Sequence, residues 1–486
     1  MAASALATLL DIRTIKIVLV ESDEIGIVGV GEATIPPIAA FNSMLDINED
    51  TFLAATKATF KLGIEFVDWG RLGDRYFHPF GPHGQDFRGV HFHQLYLREA
   101  QRRQRPNIAH WSMSAVAAEL GRFARPGPEG RLPLSQLAYA FHFDAGLYAG
   151  FLRSHAERKG VQRVEGKIVD ATLDGETGHV QSVTLTDGRA INGELYIDCS
   201  GFGGLLIEEK LLTGYEDWSH WLPCDRAVAA PCALGGSPDP FTRSTARSAG
   251  WQWRIPLQHR MGNGLVYSSA HWGRGDAEAV LHDNLEGELL AEPRHLTFTA
   301  GRRRLAWNGN VVSLGLSSGF VEPLESTSIH FIQSGIAKLL ALFPDRRFDP
   351  AERNEYNRQM ADVFEDVRDF IILHYKATQR DDSDFWNQCR TMTIPGSLAD
   401  KLELWRTKGR LFREGRELFG TASWVSVLLG QGIVPAQTEP ALEAIDPAVA
   451  SDALDRMQLS YRRMAESMPA HSDFIARACA AASERP

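Results

Sequence analysis

Residues 315–333, GLSSGFVEPLESTSIHFIQ, decide how the rest of the chain is read. They follow a strand-like apolar run at 309–314, GNVVSL. Two small-residue turns come next, then Pro323, then an apolar run with helical spacing. Strand, tight turn and helix N-terminus in that order aim backbone N–H groups at an anion or a ligand ring. The stretch also carries Glu322, Glu325, Ser326, Thr327 and Ser328 among apolar neighbours. Carboxyls and hydroxyls in such surroundings are costly unless they are hydrogen-bonded or used. A plain capped helix, with Ser326 or Thr327 as N-cap and no chemistry, accounts for the same letters.

Upstream, residues 1–10 (MAASALATLL) suit a helix and lack the basic start of a signal peptide. Residues 15–20 (IKIVLV) read as a buried strand ending at Glu21. A helix and then a strand closed by an acid is the second half of a dinucleotide-binding βαβ unit, the acid accepting from a ribose diol. A solvated strand end is the plain alternative. Gly26, Gly29 and Gly31 then permit positive φ and close backbone approach to a ligand. Residues 40–70 read as helical, with Lys61 among Phe60, Leu62, Ile64 and Phe66; such a lysine snorkels or, if buried, is paired or functional. A loop is expected at 70–93, holding His78, Phe80, His83, His91 and His93. Their spacing matches no standard metal set, so no metal is assigned.

Residues 133–158 read as a helix and 161–198 as hairpins, with turns at Asp174-Gly175, Thr177-Gly178 and Asp187-Gly188. A buried strand then runs into Asp198 and Gly201, a second nucleotide-contact signature. Residues 210–310 read as strand-rich, with Trp251, Trp253 and Ile255 on one strand face and a solvated or substrate-facing turn at 302–304. Helices are expected at 329–344, 350–379, 398–418 and 447–480.

The whole chain has 486 residues, 44% apolar and 23% charged, enough for two or three domains or one interleaved fold. A net charge of −10 argues against nucleic acid as partner. Five cysteines without a CxxC pair fit a reducing, cytoplasmic compartment. No apolar run is long enough to span a membrane.

Five motifs in order resemble the flavin-dependent tryptophan halogenase family: GVGEATIP at 29–36, FKLGI at 60–64, DCSGF at 198–202, WQWRIP at 251–256 and FVEPLEST at 320–327. The resemblance implies an α/β, Rossmann-like fold of the flavin monooxygenase type, with an FAD box at 1–328 and a mostly helical substrate-binding subdomain at 329–486. It implies that reduced FAD, supplied by a separate flavin reductase, reacts with O₂ and that chloride or bromide is oxidised to hypohalous acid. It makes Lys61 the residue that directs this oxidant to an aromatic carbon, Glu325 the residue that meets the cationic intermediate, and Ser326 the residue that orients Lys61. Thr327 and Ser328 would hold halide; many relatives have Gly at the position of Ser328. Glu21, Gly29, Gly31, Ala33, Thr34, Asp198, Gly201, Gly315 and Leu316 would contact FAD. Trp251 and Trp253 would shield the flavin from the organic substrate, and His78, Phe80 and Trp424 would meet the substrate ring.

The family's first strand and GxGxxG loop would precede residue 1, so the chain as written is expected to bind FAD weakly. The polar residues that grip free tryptophan are replaced here by Ser423, Trp424 and Gly430, which favours indole, another small aromatic lacking the amino-acid head, or a larger tryptophan-containing molecule. A homodimer is the default assembly. The competing readings are a flavin aromatic hydroxylase driven directly by NAD(P)H and a non-catalytic flavin-fold protein that binds an aromatic.

Overall fold

Alternating apolar residues build the centre of the molecule. The computed structural model describes residues 1–25, 31–127, 133–413, 415 and 417–479. Its largest sheet has seven strands, in the order Arg294–Thr297, Arg226–Cys232, Met261–Tyr267, Gly250–Pro256, Thr242–Arg247, Gly63–Val67 and Arg75–Pro79. Neighbours run antiparallel except Thr242–Arg247 against Gly63–Val67, which are parallel. Trp253 lies opposite Gly264 in this sheet, and the absent side chain leaves room for the indole. A three-stranded sheet carries Glu32–Ala33, Ala140–Phe143 and Thr59–Lys61 in that order. Two parallel pairings, Val18–Glu21 with Gln162–Glu165 and Tyr196–Asp198 with Val311–Ser313, supply the Rossmann-like part.

Helices cover the large sheet. The longest, Pro350–Lys376, starts at Asp349, whose carboxylate accepts from the Ala351 N–H, with proline in the first turn. The helices Thr421–Gly430 and Gly396–Lys408 pack on it or on the sheet. The helical layer also draws on residues before 328: Phe92–Arg102 and Met113–Glu119 pack on Pro447–Ser467. One hydrophobic core runs through sheet and helices, with Trp69, Trp251, Trp386 and Phe60 fully buried.

The structure corrects four local expectations. Residues 40–70 hold two short helices, Pro37–Met44 and Glu49–Ala55, and then strands, so Lys61 stands on a strand. Phe60, Leu62, Ile64 and Phe66 recur every second residue, and all four are buried. The expected loop at 70–93 contains the strand Arg75–Pro79. The helix expected at 133–158 is confined to Ala145–Arg158, behind the strand Ala140–Phe143. Arg303 is no solvated turn: it is buried, donates to the carbonyls of Ser317, Phe202 and Gly203, and pairs with Glu208 at 2.7 Å.

Candidate active site

The site assembles where the Lys61 strand meets the turn at 323–327. Lys61 is fully buried and its Nζ donates to Ser326 Oγ at 2.7 Å. The same Nζ sits 5.2 Å from the centre of the Phe80 ring. Burial pulls the ammonium down to about 7, and the charge of Glu325 offsets part of that shift. Ser326 reaches this position because Pro323–Glu325 form a short 3₁₀ turn that ends with Ser326 in the left-handed region, φ +60°. Thr327 then caps the helix Ser328–Ala341 without a side-chain bond.

Glu325, also buried, faces two imidazoles. His78 Nδ1 lies 2.9 and 3.0 Å from its two oxygens, and His374 Nε2 lies 2.7 Å from Oε1. Burial alone raises a carboxyl, but the field of His78 and the hydrogen bonds from both histidines outweigh it and hold Glu325 down at about 2. Gln431 donates to the Tyr76 hydroxyl at 3.2 Å, which lies 3.3 Å from His374 Nδ1. Tyr76 therefore donates to Nδ1, which leaves the His374 proton on Nε2, the nitrogen nearest Glu325. Burial lowers His374 from its ordinary value, in keeping with a neutral ring.

Behind this turn lies a cavity of about 360 Å³. Gly31, Glu32, Ala33, Trp251, Trp253, Gly315, Leu316, Phe320, Ser326 and Ser328 are on its wall. The wall is a fit for a flat, largely apolar ring system with a few polar edges. Gly315 adopts φ +70°, and a Cβ at Gly319 would stand 2.6 Å from the Gly301 carbonyl. Ser318 Oγ and Thr327 Oγ1 are buried without a hydrogen-bond partner among the described residues. Glu32 is pushed up to about 7 by burial. Trp251 is locked in the wall by its Nε1–H, which donates to Glu322 Oε2 at 2.8 Å; the Tyr375 hydroxyl donates to the same oxygen at 2.5 Å.

The tryptophan halogenase family model matches residues 1–447. Tryptophan 6-halogenase SttH of Streptomyces toxytricini is 33% identical over 95% of this chain and 93% of its own length. Xcc4156, a flavin-dependent halogenase from Xanthomonas campestris, is 46% identical with a TM-score of 0.96, covering 100% of this chain and 97% of that one. BrvH, a flavin-dependent halogenase from Brevundimonas sp. BAL3, is also 46% identical, with a TM-score of 0.94 over 98% of this chain and 96% of that one.

The chain belongs to the tryptophan halogenase family. It is a flavin-dependent halogenase, and the hydroxylase and non-catalytic readings fall away. As a family such halogenases use reduced FAD, halide and O₂, and act on small aromatics. No helix among the described residues is long and apolar enough to cross a membrane. No group of three or more His, Cys, Asp or Glu among them is arranged to hold a metal.

In the halogenase, the residues expected to meet flavin divide into two sets. Gly31, Ala33, Gly315 and Leu316 line the cavity, and Thr34 lies buried beside it with its hydroxyl on the Phe141 carbonyl. Gly29 lies outside the described residues. Asp198 is engaged within the protein: Oδ1 accepts from Ser200 N–H and its hydroxyl, and Oδ2 accepts from the Leu206 and Ile207 N–H groups, each at 2.9 Å. It shapes the turn at Gly201, φ +88°. Glu21 is paired with Arg153 at 3.2 Å and Arg163 at 2.7 Å.

On the other side of the turn, Phe80 faces Lys61 while His78 is anchored on Glu325. Trp424 meets the edge of Phe370 at 5.1 Å and carries Lys401 over its face at 4.5 Å. Phe370 stacks on Phe419 at 3.9 Å and lies 5.8 Å from His78. The structure thus joins His78 and Trp424 through Phe370. Sequence reasoning assigned no role to His374, Phe370, Phe419 or Glu322. The available signal was a histidine inside the apolar helical run Ile371-Ile372-Leu373-His374-Tyr375, and a second buried carboxyl in the 315–333 stretch.

Proposed function

We propose that the halogenase places chlorine or bromine on an indole-like aromatic, with Lys61 delivering hypohalous acid and Glu325 receiving the ring proton. The observation that supports this is the Lys61–Ser326 bond, because Ser326 belongs at once to the cavity wall and to the Lys61 pocket. Gly31, Ala33, Thr34, Gly315 and Leu316 would hold FAD. Reduced FAD from a separate flavin reductase supplies, with O₂, the oxidant that turns chloride or bromide into hypohalous acid. Backbone N–H groups of Thr327 and Ser328, at the start of a 14-residue helix, hold the halide. Trp251 and Trp253 keep the organic substrate from the cavity and so suppress oxygenation.

Near pH 7 Lys61 exists as both ammonium and amine. The ammonium donates to the oxygen of hypohalous acid. The ring carbon attacks the halogen, the C–halogen bond forms as the O–halogen bond breaks, and the oxygen leaves as water with the Lys61 proton. Glu325, ionised between His78 and His374, stabilises the cationic ring and takes its proton. SttH, one of the chain's relatives, is a tryptophan 6-halogenase. On the helix Thr421–Gly430, however, no carboxylate faces a substrate ammonium, and the Ser426 hydroxyl is already spent between His83 and the Ala422 carbonyl. An aromatic without the amino-acid head fits better.

The test is product mass after mixing the protein with a flavin reductase, FAD, NADH, bromide and a panel containing indole and tryptophan. A bromine isotope doublet, stronger on indole and lost in Lys61→Ala, is the expected result. Faster turnover of free tryptophan would reject the substrate class, and oxygenated product without halogen would reject the chemistry.

A further inference from the structure

The strand that carries Lys61 is three residues long and, among the described residues, pairs on one side only, with Ala140–Phe143. Its outer edge presents backbone donors that no strand among the described residues covers. Buried donors of this kind need partners. One is met by a side chain from the far end of the chain: His471 Nε2 accepts from the Phe60 N–H at 3.2 Å. The other ring nitrogen donates to the Pro238 carbonyl at 2.8 Å. The two bonds require the neutral Nδ1–H tautomer. Just past the strand, the Leu62 N–H donates to the Pro240 carbonyl at 2.7 Å, so the loop touched by His471 also holds the next donor.

The imidazole is itself fixed. His471 is 2% exposed, and its own N–H donates to the Gly121 carbonyl at 2.9 Å. Phe60 stacks on Phe123 at 3.8 Å, and Phe474, one turn along the helix His471–Ala478, meets the edges of both rings. The family model ends at residue 447, so this helix lies outside the matched span.

We propose that His471 is a positioning residue for Lys61: by closing the open edge of a short strand it sets the backbone from which Lys61 reaches Ser326. This rests on the role given to Lys61 above. A displacement of about 1 Å in such a group is enough to lower transfer roughly a hundred-fold.

The test compares His471→Phe with His471→Gln in the full chain. Phenylalanine keeps the ring and its packing but makes neither bond. Glutamine loses the ring but offers one acceptor and one donor. Three readouts are taken: amide deuterium exchange at residues 59–62, the ratio of halogenated product to free hypohalous acid trapped by a diffusible β-diketone, and the melting temperature. The expected result is faster exchange and a ratio lowered about ten-fold in His471→Phe, with both near the parent in His471→Gln. A phenylalanine variant that matches the parent, or a glutamine variant that fares worse than it, would show that His471 acts by packing alone and overturn the proposal. Lys61→Ala runs alongside: if it leaves the ratio unchanged, the reading of Lys61 fails, while the exchange data still decide whether His471 holds the strand. The parent gives a check that needs no variant, since a Phe60 amide exchanging at the rate of exposed loop amides would also overturn it.

Discussion

Ser326 sits at φ +60°, a strained place for a residue other than glycine, and supplies the acceptor for Lys61. Two substitutions separate these properties. Ser326→Ala removes the acceptor and keeps the strain; Ser326→Gly removes both. Both should lose most halogenation, yet the glycine variant should be more stable than the alanine variant by roughly 1 kcal/mol in denaturant unfolding. Lys61 adds a pH signature. Its native value near 7 lies below the ordinary 10.5, so between these limits the unfolded chain binds the extra proton and stability rises with pH. Lys61→Met should abolish that rise and be more stable than the parent at pH 7, as read by unfolding at pH 7 and pH 9. A parent whose stability climbs no more than the variant's would mean a solvated lysine. Glu325 works in the other window. Held at about 2 against an ordinary 4.5, it contributes stability above 4.5 that is lost as pH falls through 2.

Among the elements, the strand Gly250–Pro256 depends on its neighbour for the place of one indole. A Cβ at Gly264 would stand 2.0 Å from the Trp253 ring. Gly264→Ala should therefore push Trp253 toward the cavity, cost about 1–3 kcal/mol, and weaken FAD binding; fluorescence titration and unfolding check both. Unchanged affinity would show that Trp253 has room elsewhere. The same scale shows how far the sequence could be read. The motifs marked the cavity wall and the 323–327 turn because their residue types are uncommon together. The strand at Thr59–Lys61 was hidden because Phe52, Thr56 and Phe60 also recur every fourth residue, which imitates a helix face. Asp198 shows that a strand-end acid read as a ligand contact can also cap a turn, a second role that the N–H groups of Leu206 and Ile207 reveal only in the fold. His374 and His471 were illegible for a different reason: each acts on a partner distant in sequence, Glu325 for the one and Phe60 for the other, that no local pattern announces.

For the molecule as a whole, Glu322 joins the layers, taking Trp251 from the sheet and Tyr375 from the long helix on one carboxylate oxygen. Burial pushes its carboxyl up to about 7 from 4.5. The native protein keeps that proton in the window where the unfolded chain releases it, so this group makes stability fall as pH rises from 4.5 to 7. Glu322→Gln retains an acceptor for both donors and should remove that fall. Thermal unfolding at pH 5 and pH 7.5 tests it through the difference between parent and variant; an equal pH response in both would place the proton elsewhere. The bond between His471 and Phe60 joins residues 411 apart in sequence, and the one parallel pairing of the large sheet ties residues 64–67 to 242–245. On a ribosome the sheet pairing must wait until about half the chain has emerged, and the His471 bond until nearly all of it has. The halogenase should therefore fold slowly, with unpaired edges exposed during synthesis, and its soluble yield should rise with lower growth temperature and greater chaperone supply.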